Sequence, residues 1–163
     1  MSHSWRLVAL VVVGSVSAGA MTGAHASAAS ASNQARGPTG TPDCGAGAIS
    51  PWPRRDIGRI VAKAEVDCTG EAPQFPHVQI RLKLQRKKPG TDGWVTKSFA
   101  KVSPPTPTEY FLATTSRPCK LGKYRTSAKF LYRWDAAEPW SVLYDYLHSP
   151  PRDIDNVRRC QAV

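Results

Sequence analysis

The residues with chemistry to offer begin with histidine. His77 and His148 are the two that lie beyond the first 26 residues. A nucleophilic triad needs one of them beside a hydroxyl or thiol and an acid, yet no G-x-S-x-G elbow or comparable frame surrounds either. The acids are scattered and do not form the paired carboxylates of a glycosidase. Asp153-Ile154-Asp155-Asn156 offers oxygens to a calcium ion, but it lacks the Gly and closing Glu of a calcium loop and reads as a charged turn. No P-loop or dinucleotide glycine motif is present. The expectation is a protein that is not an enzyme and takes no cofactor or metal.

Cysteine comes next. Cys44, Cys68, Cys119 and Cys160 include no C-x-x-C and no Cys/His spacing suited to zinc. An even count in an exported chain means two disulfides and leaves no thiol for catalysis. Four cysteines allow three connectivities, and spacing alone does not choose among them.

The cations are the most patterned group. The chain has 22 Lys+Arg against 12 Asp+Glu, a formal charge of +10. In His77–Gln85, Val78, Ile80, Leu82 and Leu84 face one way, while Arg81 and Lys83 face the other. In Lys123–Trp134, Tyr124, Thr126, Ala128, Phe130 and Tyr132 alternate with Arg125, Lys129 and Arg133. If these two strands are neighbours in one sheet, the five cations Arg81, Lys83, Arg125, Lys129 and Arg133 share one solvent face. Lys97 and Lys101 extend that face from a third strand, and Arg86-Lys87-Lys88 sits at an adjoining turn. Such a face attracts anionic polymers: teichoic acid, acidic polysaccharide, nucleic acid or anionic headgroups. The competing reading is a sheet face whose charge only keeps the protein in solution. No stacking aromatics interleave with the cations along these two runs, which argues against a dedicated single-strand binder and against specific nucleic-acid recognition.

These side chains must be positioned by strands. A third alternating run, Arg59–Cys68, puts Ile60, Ala62, Ala64 and Val66 on one face. Weaker runs are Trp94–Val102, Glu109–Thr115, Trp140–Leu147 and Ile154–Cys160, separated by Pro- and Gly-rich turns. Seven short strands with this punctuation predict an all-β sandwich over residues 43–163. Pro51-Trp52-Pro53-Arg54-Arg55 reads as a structured connection between its first two strands. Ahead of the domain, residues 27–42 are Ser-, Ala-, Gly- and Pro-rich and read as a flexible lead-in. Residues 1–26 read as a secretory signal peptide. Arg6 supplies its charge, Leu7–Val13 its apolar core, and Ala24-His25-Ala26 the cleavage site. No apolar run reaches the roughly 18–20 residues of a membrane span.

Leu121-Gly122-Lys123-Tyr124-Arg125-Thr126 resembles the tyrosine corner of immunoglobulin-like domains, where Gly-x-Tyr enters the penultimate strand. The position two after Tyr124 is Thr126 rather than Cys, so the usual inter-sheet disulfide is absent. The stretch from Cys44 to Cys160 is also similar to small secreted proteins of unknown function found in actinobacteria. The residues that carry this likeness are Val66-Asp67-Cys68, the alternating basic strand at His77–Gln85, the run Cys119–Thr126, and the final Cys160. These resemblances imply an extracellular immunoglobulin-like antiparallel β-sandwich and no known activity. An immunoglobulin-like chain path further implies that Cys44 opens the first strand, Cys68 closes the second, Cys119 precedes the sixth and Cys160 ends the last. All four would then share one pole, pairing Cys44–Cys68 and Cys119–Cys160. The nested pairing, Cys68–Cys119 with Cys44–Cys160, is the alternative.

Three functions are in contention. The leading one is a secreted, non-catalytic binding module that engages anionic cell-envelope or extracellular polymers through the basic face. A disulfide-stapled protease-inhibitor-like protein or antagonist of extracellular proteins is second, and a small hydrolase last.

Overall fold

Alternation of apolar and polar residues becomes eight strands: β1 (Cys44–Arg54), β2 (Arg59–Cys68), β3 (His77–Lys87), β4 (Trp94–Val102), β5 (Tyr110–Pro118), β6 (Gly122–Arg133), β7 (Ser141–His148) and β8 (Arg152–Ile154). The structure, a computed structural model, describes residues 40–70, 74–156, 158 and 160. The signal peptide expected over 1–26, and the expected lead-in up to residue 39, lie outside the described residues. One sheet has the order β1-β2-β5 and the other β4-β3-β6-β7, with β8 paired to the start of β6. Every pairing is antiparallel. Three strands facing four in this order make the immunoglobulin-like sandwich, to which β8 is an addition.

The inward residues of β2 and β3 are those the alternation selects. Ile60, Ala62, Ala64 and Leu82 have no exposed surface, and Val66 and Ile80 are 1 % exposed. Ala64, Val66, Ile80 and Leu82, with Val78, Ala113, Ala128 and Phe130, fill most of the interior. A second cluster, Ile60, Ala62, Leu84, Tyr124 and Ile154, closes one end, with Cys119 and Cys160 packed against it. Pro51 and Pro53 are tolerated in β1 because it is an edge strand whose register breaks between Ile49 and Trp52. The chain then turns through one 3₁₀ turn, Arg55–Ile57, and a left-handed Gly58.

Tyr124 is a tyrosine corner. Its ring is 1 % exposed and its hydroxyl donates to the Lys120 carbonyl at 2.9 Å. Burial raises the pKa of the phenol above its ordinary value. Thr126 occupies the place where immunoglobulin domains carry the second cysteine of their inter-sheet disulfide. Here its hydroxyl donates across the sandwich to the Ile49 carbonyl of β1 at 2.5 Å, and its backbone N–H donates to Ser149 Oγ at 2.9 Å. A hydrogen bond thus links the sheets at that point. Further links close the two open sides: Tyr144 Oη donates to the Cys44 carbonyl at 2.7 Å, and Ser98 Oγ meets Thr115 Oγ1 at 2.6 Å.

Both disulfides, Cys44–Cys68 and Cys119–Cys160, pair as the immunoglobulin-like path implies. They do not share a pole. Cys44 opposes Cys68 at one end of the β1–β2 ladder, whereas Pro118, next to Cys119, opposes Arg59 at the other end of β2. Five strands run from Cys44 to Cys119, and an odd number of antiparallel strand passages leaves the chain at the opposite end. The run Ile154–Cys160 is not a strand either. Pairing with β6 is confined to Arg152–Ile154, and Cys160 lies beyond it.

Candidate functional site

The register of β3 against β6 decides where the cations go. Arg81 pairs with Lys129, Lys83 with Ser127, Gln85 with Arg125, and His77 with Arg133. Paired residues of an antiparallel ladder project to the same side. All five cations therefore lie on the outer face of the larger sheet, in rows across two central strands. Lys101 joins the Arg81 row from β4. Lys97 does not extend the ladder: Leu84 pairs with Ser98 and Gln85 with Thr96, so Lys97 is the extra residue of a bulge.

The five cations are half-buried and lie along the sheet, each tied to a neighbour. Arg81 Nε donates to Gln79 Oε1 at 3.2 Å, and Arg125 Nε to Gln85 Oε1 at 2.9 Å. Lys83 Nζ donates to the Tyr146 hydroxyl at 2.8 Å, and Arg133 to the Ala136 carbonyl. Only Lys129 among the five has a carboxylate partner among the described residues, Asp145 at 3.1 Å, and that lysine holds the Asp145 carboxyl below the usual range. Four cations are thus oriented by neutral acceptors that do not cancel their charge.

Aromatic rings do interleave with these cations, contrary to the reading of the two central strands alone. Trp94 stacks on Arg125 at 4.4 Å, Trp140 on Arg133 at 4.5 Å, and Tyr146 on Lys83 at 4.1 Å. Phe99, opposite Lys83, is 54 % exposed. These rings come from the flanking strands and their approaches. The Lys97 bulge reverses the facing of the start of β4, so Trp94 comes level with Lys87 on the outer side. A second irregularity, between Ala128 and Phe130, sets Asp145 and Tyr146 together against Lys129.

His77 and His148 both belong to this face, His77 opposite Arg133 and His148 opposite Ser127. Partial desolvation first, then the charges of Arg125 and Lys83, lower the His148 pKa from its ordinary value of 6.5. His148 is therefore a neutral ring among cations at neutral pH. Asp153 lies in β8 and contacts Lys123 at 3.7 Å, and Ile154 is buried in the second core cluster. No group of three or more metal-ligating side chains occurs among the described residues, and no helix among them is long and apolar enough to cross a membrane.

At the far end of the β1–β2 hairpin, Arg54 is turned back onto Asp56 and Arg55 is exposed. The turn is pinned there, because Cys119 N–H donates to the Gly58 carbonyl at 3.0 Å. Comparison with family models, with curated proteins and with solved structures finds no match to this chain.

Proposed function

We propose that this protein is a secreted, non-catalytic binding module whose basic sheet face engages anionic polymers of the cell envelope or the extracellular medium. The observation that carries the reading is the manner in which the cations are held. Arg81, Lys83, Arg125 and Arg133 are fixed by amides, a phenol and a carbonyl rather than by carboxylates, so an arriving anion meets oriented and uncancelled charge. A face serving solubility alone has no need of oriented side chains. The rings between the cations add apolar area against which a repeating unit can lie. Two disulfides suit export to an oxidising compartment, in keeping with the signal-like start of the chain. The likeness to small secreted actinobacterial proteins points the same way.

The test compares two variants of equal charge on an immobilised anionic polymer. One changes Arg81, Lys83, Arg125, Lys129 and Arg133 to Ser; the other changes the exposed Arg54, Arg55, Lys120, Arg152 and Arg158. The first should elute at much lower salt, because counterion release counts the charges that touch the polymer. Equal elution would reduce the face to a solubilising surface.

A second reading is favoured by one observation, the pinning of the Arg55 turn beside the Cys119–Cys160 disulfide. A short turn held at a covalent staple suits insertion into a partner's cleft, as an antagonist or inhibitor of an extracellular protein would require. Loss of partner capture in an Arg55→Ala variant, with polymer retention unchanged, would favour it.

A further inference from the structure

Beyond the sheet face, a hollow of about 490 Å³ opens where the β3–β4 turn meets the start of β6. Its volume falls in the range of small-molecule sites. Arg86, Lys87, Lys88 and Lys123 line it, with Asp92 on the rim. Two of these charges are answered locally: Lys87 pairs with Asp92 at 3.1 Å, and Lys123 contacts Asp153 at 3.7 Å. Arg86 and Lys88 have no carboxylate partner among the described residues. The hollow therefore carries an excess of two positive charges.

Arg86 is held ready in a slot. Its guanidinium lies 6.0 Å from the centre of the Tyr124 ring. Gly122 lies on the same face of β6 as Tyr124, and an added Cβ there would collide with Arg86 Nε and lie 3.1 Å from Cζ. The glycine also has φ +140°, which other residues rarely adopt. The Arg86 Nε is buried and has no hydrogen-bond acceptor. The Nε atoms of Arg117 and Arg133 are buried without an acceptor in the same way, so what sets Arg86 apart is that it lines the hollow.

We infer that this hollow is a binding site for a dianionic phosphate monoester group, with Arg86 as its fork-shaped donor and Lys88 as its second cation. Two uncancelled charges match a dianion, and a guanidinium suits two oxygens of one phosphate. The volume leaves space for the unit that carries the phosphate. That group comes either from a small sugar- or glycerol-type phosphate or from the phosphorylated end of a polymer lying on the adjacent face, which the hollow adjoins at Lys87 and Trp94.

The site is tested by amide NMR titration of the oxidised protein with inorganic phosphate, glycerol 3-phosphate and dimethyl phosphate. The two dianions should saturate with shifts at Gly122, Lys123 and Thr91, and dimethyl phosphate should bind at least about tenfold more weakly. Arg86→Gln should weaken inorganic phosphate about tenfold or more, the worth of one charged contact. Lys88→Gln, at an exposed turn where folding is not at stake, should weaken it severalfold. Neither variant should match the five-Ser variant in loss of polymer retention, and the five-Ser variant should keep its phosphate site. The site thus stands or falls separately from the sheet-face reading. A glycerol-phosphate oligomer with a terminal phosphate binding more tightly than glycerol 3-phosphate assigns the polymer end as source, and equal binding assigns the free ester. Equal affinity for monoester and diester, or indifference to both substitutions, would overturn the proposal.

Discussion

Thr126 and Tyr124 show how single side chains replace a covalent link. Both face the interior, and both send a hydroxyl to a backbone carbonyl. Tyr124→Phe should cost about 0.5–1.5 kcal/mol in urea denaturation, the net worth of one hydrogen bond. Thr126→Val keeps the shape but leaves the part-buried Ile49 carbonyl without its donor, and should cost about 1–3 kcal/mol. If Thr126→Val were the milder of the two, the cross-sheet bond would not be what joins the sheets there. His148 gives the face a pH dependence. Its folded pKa lies below its unfolded one, so the stability it contributes is complete above about pH 6.5 and is lost as pH falls through the lowered value. Binding runs the other way. A bound polyanion favours the imidazolium, so polymer retention should strengthen between pH 7 and 5.5, and His148→Gln should flatten that rise. A rise unchanged in the variant would locate the titration elsewhere.

The cationic strands were legible because their charges alternate within a single element. Period two forces Arg81 with Lys83, and Arg125 with Lys129 and Arg133, onto one side of each strand whatever the neighbours do. The rings were not legible, since their placement depends on bulges, which no alternation within β4 or β7 reveals. Read without a bulge, β4 would show Lys97 outward and Trp94 inward; the extra residue leaves Lys97 unpaired and puts Trp94 outward, opposite Lys87. Deleting Lys97 should therefore leave a regular ladder in which Thr96 still faces Gln85 and Trp94 still stands opposite Lys87 on the outer side. We expect that deletion to keep polymer affinity and the tryptophan fluorescence unchanged. Trp94→Ala should instead lower polymer affinity severalfold, since a cation–π contact at a partly exposed site is worth about 0.5–1 kcal/mol. A Trp94→Ala variant with unchanged affinity would mean that this ring does not take part.

Across the whole molecule, the class of fold and both disulfide pairs were readable, while the location of the second disulfide was not. Pairing follows from adjacency of strands, but the pole follows from counting strand passages, and the strand ahead of Cys119 makes that count odd. The two bridges span 24 and 41 residues and do not overlap in sequence. Each double Cys→Ala variant should lose about 2–4 kcal/mol, and the losses should be nearly additive because the sites are at opposite ends. Strong non-additivity would show that the ends of the sandwich fold as one unit through the bridges.

The same arrangement of bridges determines how the protein bears load. A pull applied between residues 44 and 160 passes through Cys44–Cys68, along the chain from Thr69 to Pro118, and out through Cys119–Cys160. The β1–β2 hairpin and the segment from β6 to β8 are bypassed by covalent bonds. Only β3, β4, β5 and their connections can be drawn out, a contour of roughly 170 Å. A protein lodged on a polymer in moving fluid would thus yield by a bounded length and then hold, like a tether with a stop. Reduction would remove the stop.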